Sequence, residues 1–155
     1  MGLANEFRKA LLQHKRIFLD SSILIYHLED IQPYSIFTTE LFMALSKGTI
    51  ECIISTLSIT ELLTKPFKEN KNEQIEIFEA FIFSLPQTQI AFPSYNIAKQ
   101  AARLRGQYNL RTPDSILLST ALEETCDVFL TNDHHLKRIE TEGIVVIVLS
   151  EFARI

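Results

Sequence analysis

The stretch Arg111–Leu136, RTPDSILLSTALEETCDVFLTNDHHL, holds a helix, a strand and an acidic residue near the start of one and the end of the other. Thr112, Pro113 and Asp114 read as a helix start. Threonine caps, proline has the φ of the first turn, and an acid there is favoured by the macrodipole. The spacing predicts a helix over Pro113–Glu124 and a strand over Val128–Leu130, with Asp133 ending the segment DVFLTND. In an open parallel α/β sheet, ligands bind beyond the carboxyl ends of the strands.

The same alternation extends outward in both directions. Upstream, Ile17–Leu19 is a short strand closed by Asp20, followed by a helix over Ser21–Leu28 and another over Ser35–Lys47, with Gly48 as its stop. Glu51–Ser55 reads as a strand, Leu57–Lys65 as a helix ended by Pro66, and Gln74–Leu85 as a half-buried helix with Ile75, Phe78, Ile82 and Leu85 on its stripe. Gln89–Phe92 is a brief strand. Tyr95–Tyr108 is a helix faced with Ala98, Ala101, Ala102 and Leu104. Downstream, a short helix separates the Val128–Leu130 strand from a last one over Ile144–Leu149. Strands alternating with helices imply crossover connections and a mostly parallel sheet. Before the first strand, Ala4–Lys15 reads as a helix with Phe7, Leu11 and Leu12 on one side. Its expected role is packing.

With 155 residues and no long linker or repeat, one domain over 1–155 is expected, with 1–16 as an N-terminal helical extension. A chain of this size buries roughly 70% of its unfolded surface and needs no disulfide staples. Cys52 and Cys126 give neither a metal spacing nor a disulfide framework, which fits a reducing cytoplasm. No apolar run approaches a membrane span, and Glu6, Arg8 and Lys9 interrupt any signal-peptide core. Only four glycines occur, none in a rich turn after a strand, so the dinucleotide fingerprint and the P-loop are excluded. A net charge of −4 argues against strong non-specific nucleic-acid binding but leaves room for a local basic surface.

Four acids hold the functional signal: Asp20, Glu61, Asp114 and Asp133. Each has a plain structural reading. Asp20 and Asp133 suit helix N-caps, Ser58-x-x-Glu61 is a capping-box pattern, and Asp114 suits a first helical turn. Gathered at one sheet end, the same carboxylates would repel each other unless a cation lay between them, and an all-oxygen set suits Mg²⁺ or Mn²⁺.

The segments IFLDSSILIYHLE (17–29), STLSITELL (55–63) and RTPDSILLSTALEETCDVFLTNDHHL (111–136), in this order, resemble the successive motifs of the PIN domain, the nuclease fold of many bacterial toxins of toxin–antitoxin pairs (VapC-type). The likeness spans Ile17–Leu149. It implies a three-layer α/β/α sandwich with a central, mostly parallel sheet. It implies an endoribonuclease dependent on Mg²⁺ or Mn²⁺, with Asp20, Glu61, Asp114 and Asp133 as catalytic and metal-holding residues. Thr131 and Asn132 would position water or ligand. RNA is the implied substrate and an antitoxin protein the implied partner. Toxin members commonly begin at the first strand, so the N-terminal extension is a departure.

Further residues are read both ways. Lys99, Arg103, Arg105 and Arg111 form either a phosphate-steering patch, with Arg105 and Arg111 nearest Asp114, or a solvated helix face. His134 and His135 read as solvated loop residues, with metal or RNA contact as the alternative, and His14 and His27 as surface residues. Phe78, Phe81, Ile82 and Phe83 exceed what one helix face buries, so a homodimer through this helix or its neighbour is expected, with a core helix burying all four inside the monomer as the alternative. The rival to a nuclease is an inactive PIN-like module that binds a partner or RNA. Phosphotransfer folds fit less well. Ser22 stands where a dehalogenase-type phosphatase needs its second aspartate, and a response-regulator receiver lacks its paired early acids.

Overall fold

Alternation along the strands assigns the helices to two faces. Within β1 (Arg16–Leu19), Ile17 and Leu19 point to one side and Phe18 to the other, and all three are fully buried. The computed structural model describes residues 2–153. Its sheet has five strands, all parallel, in the order β3-β2-β1-β4-β5. The remaining strands are β2 (Glu51–Ser55), β3 (Thr88–Ala91), β4 (Val128–Thr131) and β5 (Val145–Val148). The helices are α1 (Gly2–Leu11), α2 (Ser21–Leu28), α3 (Tyr34–Ser46), α4 (Thr56–Lys68), α5 (Asn72–Ser84), α6 (Tyr95–Tyr108) and α7 (Thr112–Glu123). A 3-10 helix, His134–Glu142, joins β4 to β5, and a shorter one, Leu149–Glu151, follows.

One face of the sheet, with Ile17, Cys52, Ile54, Val128 and Leu130, packs on apolar residues of α1 to α5. The other, with Phe18, Ile53, Phe129 and Val146, packs on Leu104 of α6, Leu117 and Leu118 of α7, and Leu136 and Ile139 of the 3-10 helix. Phe18 and Phe129 stack across neighbouring strands at 5.4 Å. Helices on both faces of a parallel sheet make the expected three-layer sandwich.

The chain winds outward from β1 to β2 and β3, then returns through α6 and α7 to lay β4 on the other side of β1. The β1/β4 junction is therefore the point where the strand order reverses, the place where such sheets bind ligands.

Several boundaries differ from the sequence expectation. The first helix stops at Leu11 because Lys15 is claimed by the sheet. Its N–H reaches Asp127 and its carbonyl accepts from Glu51 N–H. Phe7 and Leu11 are fully buried, whereas Leu12 is exposed. Helix α4 runs through Pro66 to Lys68 rather than ending before it. The proline sits in the last turn with its ring buried, so the helix loses one late hydrogen bond and gains core contact. On α6 the buried face is Ile97, Ala101 and Leu104, while Ala98 and Ala102 are exposed. His27 is half-buried, hydrogen-bonded to Thr38 and tilted against the rings of Phe42 and Phe81, not a surface residue. Burial lowers its pKa.

Candidate active site

Each strand end at the β1/β4 junction delivers an acid through a helix cap. Asp20 leaves β1 in extended conformation and caps α2, with Oδ1 accepting from Ser21 N–H at 2.7 Å. Its other oxygen, Oδ2, accepts from the Thr131 hydroxyl at 2.7 Å. Asp133 follows β4 and caps the 3-10 helix, accepting from His135 N–H at 3.0 Å. Its own N–H donates to Thr131 Oγ1 at 3.1 Å. The cap readings of these two acids thus hold, and they do not compete with a site, because the caps aim the carboxylates at the sheet end.

Glu61 arrives differently. The cap of α4 is Ser55, whose hydroxyl accepts from Leu57 N–H, so Ser58 and Glu61 form no capping box. Glu61 instead accepts the Ser21 hydroxyl at 2.6 Å. Asp114 lies in the first turn of α7, which is capped by Arg111 rather than Thr112. Arg111 Nε donates to Asp114 Oδ2 at 3.1 Å.

These residues line one open cleft of about 530 Å³. Asp20, Glu61, Asp114 and Asp133 all border it, with Thr131, Asn132 and Arg111. Arg105 does not; its Nε donates to the Leu110 carbonyl in the α6–α7 turn at 3.0 Å. Arg103 is paired with Glu142 at 2.6 Å, which removes it from the phosphate-steering patch. Asn132 spends its amide on structure: Nδ2 donates to Tyr26 OH at 3.0 Å, and Oδ1 accepts Ser150 N–H at 2.8 Å. It therefore fixes Tyr26 at the cleft wall. Sequence reasoning missed Ser21 and Tyr26. Ser21 was legible only as part of the run DSS after a strand, and Tyr26 carried no signal.

The electrostatics fit a cation-binding floor. Burial pushes the Asp20 carboxyl up to about 6; the Thr131 and Ser21 hydrogen bonds pull it back, and the nearby Asp114 and Glu61 charges add to the rise. A buried carboxylate with other acids beside it and oxygen donors around it is the donor chemistry that hard dications take. Asp20, Glu61, Asp114 and Asp133 are the residues able to hold one. The acids ring the cleft without closing on a point. Among the described residues, the donors grouped tightly enough to share an ion are Asp133, His134 and His135.

The family model of the PIN domain matches residues 17–142. The chain belongs to the PIN domain family. Among solved structures, this PIN domain is similar to VapBC2 from Rickettsia felis bound to a fragment of promoter DNA, at 19% identity and a TM-score of 0.67, covering 86% of this chain and 98% of that one. FitAcB from Neisseria gonorrhoeae matches at 16% identity with a TM-score of 0.67 and the same coverage, 86% and 98%. The Mycobacterium tuberculosis toxin VapC20, described as cleaving the sarcin-ricin loop, matches at 10% identity with a TM-score of 0.59, over 73% of this chain and 86% of that one. At such identities the likeness concerns the fold. Among curated proteins, none matches the sequence significantly. No helix among the described residues is long and apolar enough to cross a membrane.

Proposed function

We propose that this PIN domain is a metal-dependent endoribonuclease, the toxin of a toxin–antitoxin pair. The observation that carries the reading is the convergence of four carboxylates, from the ends of β1 and β4 and from helices α4 and α7, on one cleft at the point where the strand order reverses. The neighbouring structures include toxin–antitoxin complexes and an RNA-cleaving toxin, which supports an antitoxin partner and an RNA substrate here.

Phosphodiester and carboxylate are both anions, so this cleft needs a cation to accept RNA. Bound Mg²⁺ or Mn²⁺ would supply a Lewis acid and a water of lowered pKa. Asp20, Glu61, Asp114 and Asp133 serve as the catalytic, metal-holding set. Thr131 positions Asp20, and Asn132 positions Tyr26. Arg111 stands at the rim, where its outer nitrogens meet phosphate, whereas Arg105 lies outside the cleft lining and would reach RNA only beyond it. The toxin acts in the cytoplasm as a homodimer whose surface is the exposed side of α5.

The test is RNA cleavage by the purified protein with Mg²⁺, with Mn²⁺ and in chelator, for wild type and Asp114→Asn. The expected result is metal-dependent cleavage leaving 5′-phosphate and 3′-hydroxyl ends, lost in the variant. Cyclic 2′,3′-phosphate ends, or full activity in chelator, overturn the mechanism. A chain that binds RNA or an antitoxin but cuts nothing with either metal is the inactive module instead.

A further inference from the structure

At the mouth of the acidic cleft lies a donor set of different chemistry. Asp133, His134 and His135 are consecutive, and one carboxylate oxygen with one nitrogen from each imidazole all lie within 4.8 Å of one another. His134 and His135 open the 3-10 helix that Asp133 caps. Asp133 N–H donates to Thr131 Oγ1, and Asp133 Oδ1 accepts from His135 N–H. The two rings lie with centroids 4.3 Å apart and planes inclined by 33°. Both histidines are exposed, and His134 also borders the cleft. The hydrogen bonds of His135 run through its backbone N–H and carbonyl, which leaves its ring free among the described residues.

We propose that Asp133, His134 and His135 bind a transition-metal dication of the zinc class. Two imidazoles and one carboxylate with an open fourth position form a familiar donor set for zinc. Magnesium takes oxygen ligands and keeps its waters, so this set discriminates against it, whereas imidazole nitrogen favours the later first-row metals. Tetrahedral donors with bonds near 2.1 Å stand about 3.4 Å apart. The donor atoms lie within 4.8 Å of one another, so binding needs the exposed rings and the Asp133 carboxylate to draw closer.

Asp133 belongs to both donor sets. An ion on the histidines draws its carboxylate toward the mouth and away from the cleft floor. Where the proposed nuclease reading holds, zinc thereby opposes the magnesium-dependent reaction. The binding site itself does not depend on that reading.

Zinc titration by calorimetry, without RNA and with excess Mg²⁺, tests the site in the full chain. Three proteins are compared: wild type, His134→Ala/His135→Ala, and Asp20→Asn. Wild type should take up one zinc that magnesium does not displace. The double variant, left with one of the three donors, should lose this high-affinity zinc, and Asp20→Asn should bind it as wild type does. A melt with Mg²⁺ alone checks that the double variant is folded. Unchanged zinc affinity in the double variant overturns the site. So does loss of zinc in Asp20→Asn, which would put the ion in the acidic cleft. Because no RNA is present, a chain without nuclease activity still decides the question.

Discussion

Thr131 donates its hydroxyl to Asp20 Oδ2 at 2.7 Å, joining residues 111 positions apart in sequence. The same hydroxyl oxygen accepts Asp133 N–H. The carboxyl ends of β1 and β4 are thereby tied side by side, and the first and last of the four cleft acids are linked through one fully buried threonine. Both Asp20 oxygens are engaged, one by Thr131 and one by Ser21 N–H, so the carboxylate has a fixed direction before any ligand arrives.

Asp20→Asn separates a capping role from a metal-holding one. Asparagine caps about as well as aspartate, so a pure cap predicts a silent change. A metal ligand predicts loss of cleavage by orders of magnitude with the fold intact. Stability supplies a second readout. Asp20 has a folded-state pKa of about 6 against 3.8 for the free group. Such a raised acid binds its proton more tightly when folded. It therefore destabilises the metal-free fold above pH 6, and the penalty shrinks as pH falls from about 6 towards 3.8. Asp20→Asn should melt at or above the wild-type temperature at pH 7.5 without metal, with the difference closing by pH 4.5. Ten times Kd of Mn²⁺ should stabilise wild type by about 1.4 kcal/mol and the variant by less. Equal metal shifts and equal cleavage would return Asp20 to the role of a cap.

The sheet and most helices were legible because short Ile, Val and Phe runs alternate with helical stripes, and because the acids sit just beyond the strands. Glu51–Ser55 for β2, Ser21–Leu28 for α2 and Tyr95–Tyr108 for α6 emerge with the boundaries expected. What pattern alone missed were decisions made by tertiary contact. Pro66 stays helical because its ring is buried in the last turn, a fact about neighbours, not about proline. Glu61 looked like a capping-box acid, but its partner is Ser21, forty residues away. Arg103 reads equally as a phosphate contact or part of a solvated helix face, and Glu142, distant in sequence, pairs with it. Local sequence carries local energies, and each of these choices was set by a residue from another element.

The N-terminal helix is a structural part of the core, and Phe7 is its anchor. Its ring is fully buried, 5.3 Å from Phe37 and 5.5 Å edge-on from Phe152. Phe7→Ala should cost about 3–5 kcal/mol, a melting-temperature drop of roughly 6–20 °C for this length. Leu12→Ala, at an exposed position of the following turn, should cost little. Calorimetric melts of both variants measure the contrast. Equal small shifts would mean that α1 detaches from the sheet in solution.

The surface of α5 makes the last prediction. Phe78 and Ile82 are buried and Phe81 packs edge-on against Phe42 at 5.3 Å, so three of the four residues expected at an interface are used within the monomer. Phe83 is 73% exposed, and Ile77 on the same helix is 56% exposed. Phe83 borders an apolar groove between α4 and α5 that includes Ile59, Leu62 and Leu63. A two-fold contact uses the same patch on both copies, so each Phe83 would be buried once per protomer. Burying one such ring contributes roughly 1.5–3 kcal/mol. Losing two in a dimer should therefore raise its Kd by about two to four powers of ten. Phe83→Glu should convert a dimer into a monomer in light scattering at micromolar concentration. Because the side chain stands in water, its melting temperature should shift only through the lost association. A wild-type monomer mass under these conditions would remove the dimer, and a variant that stays dimeric would move the interface off α5.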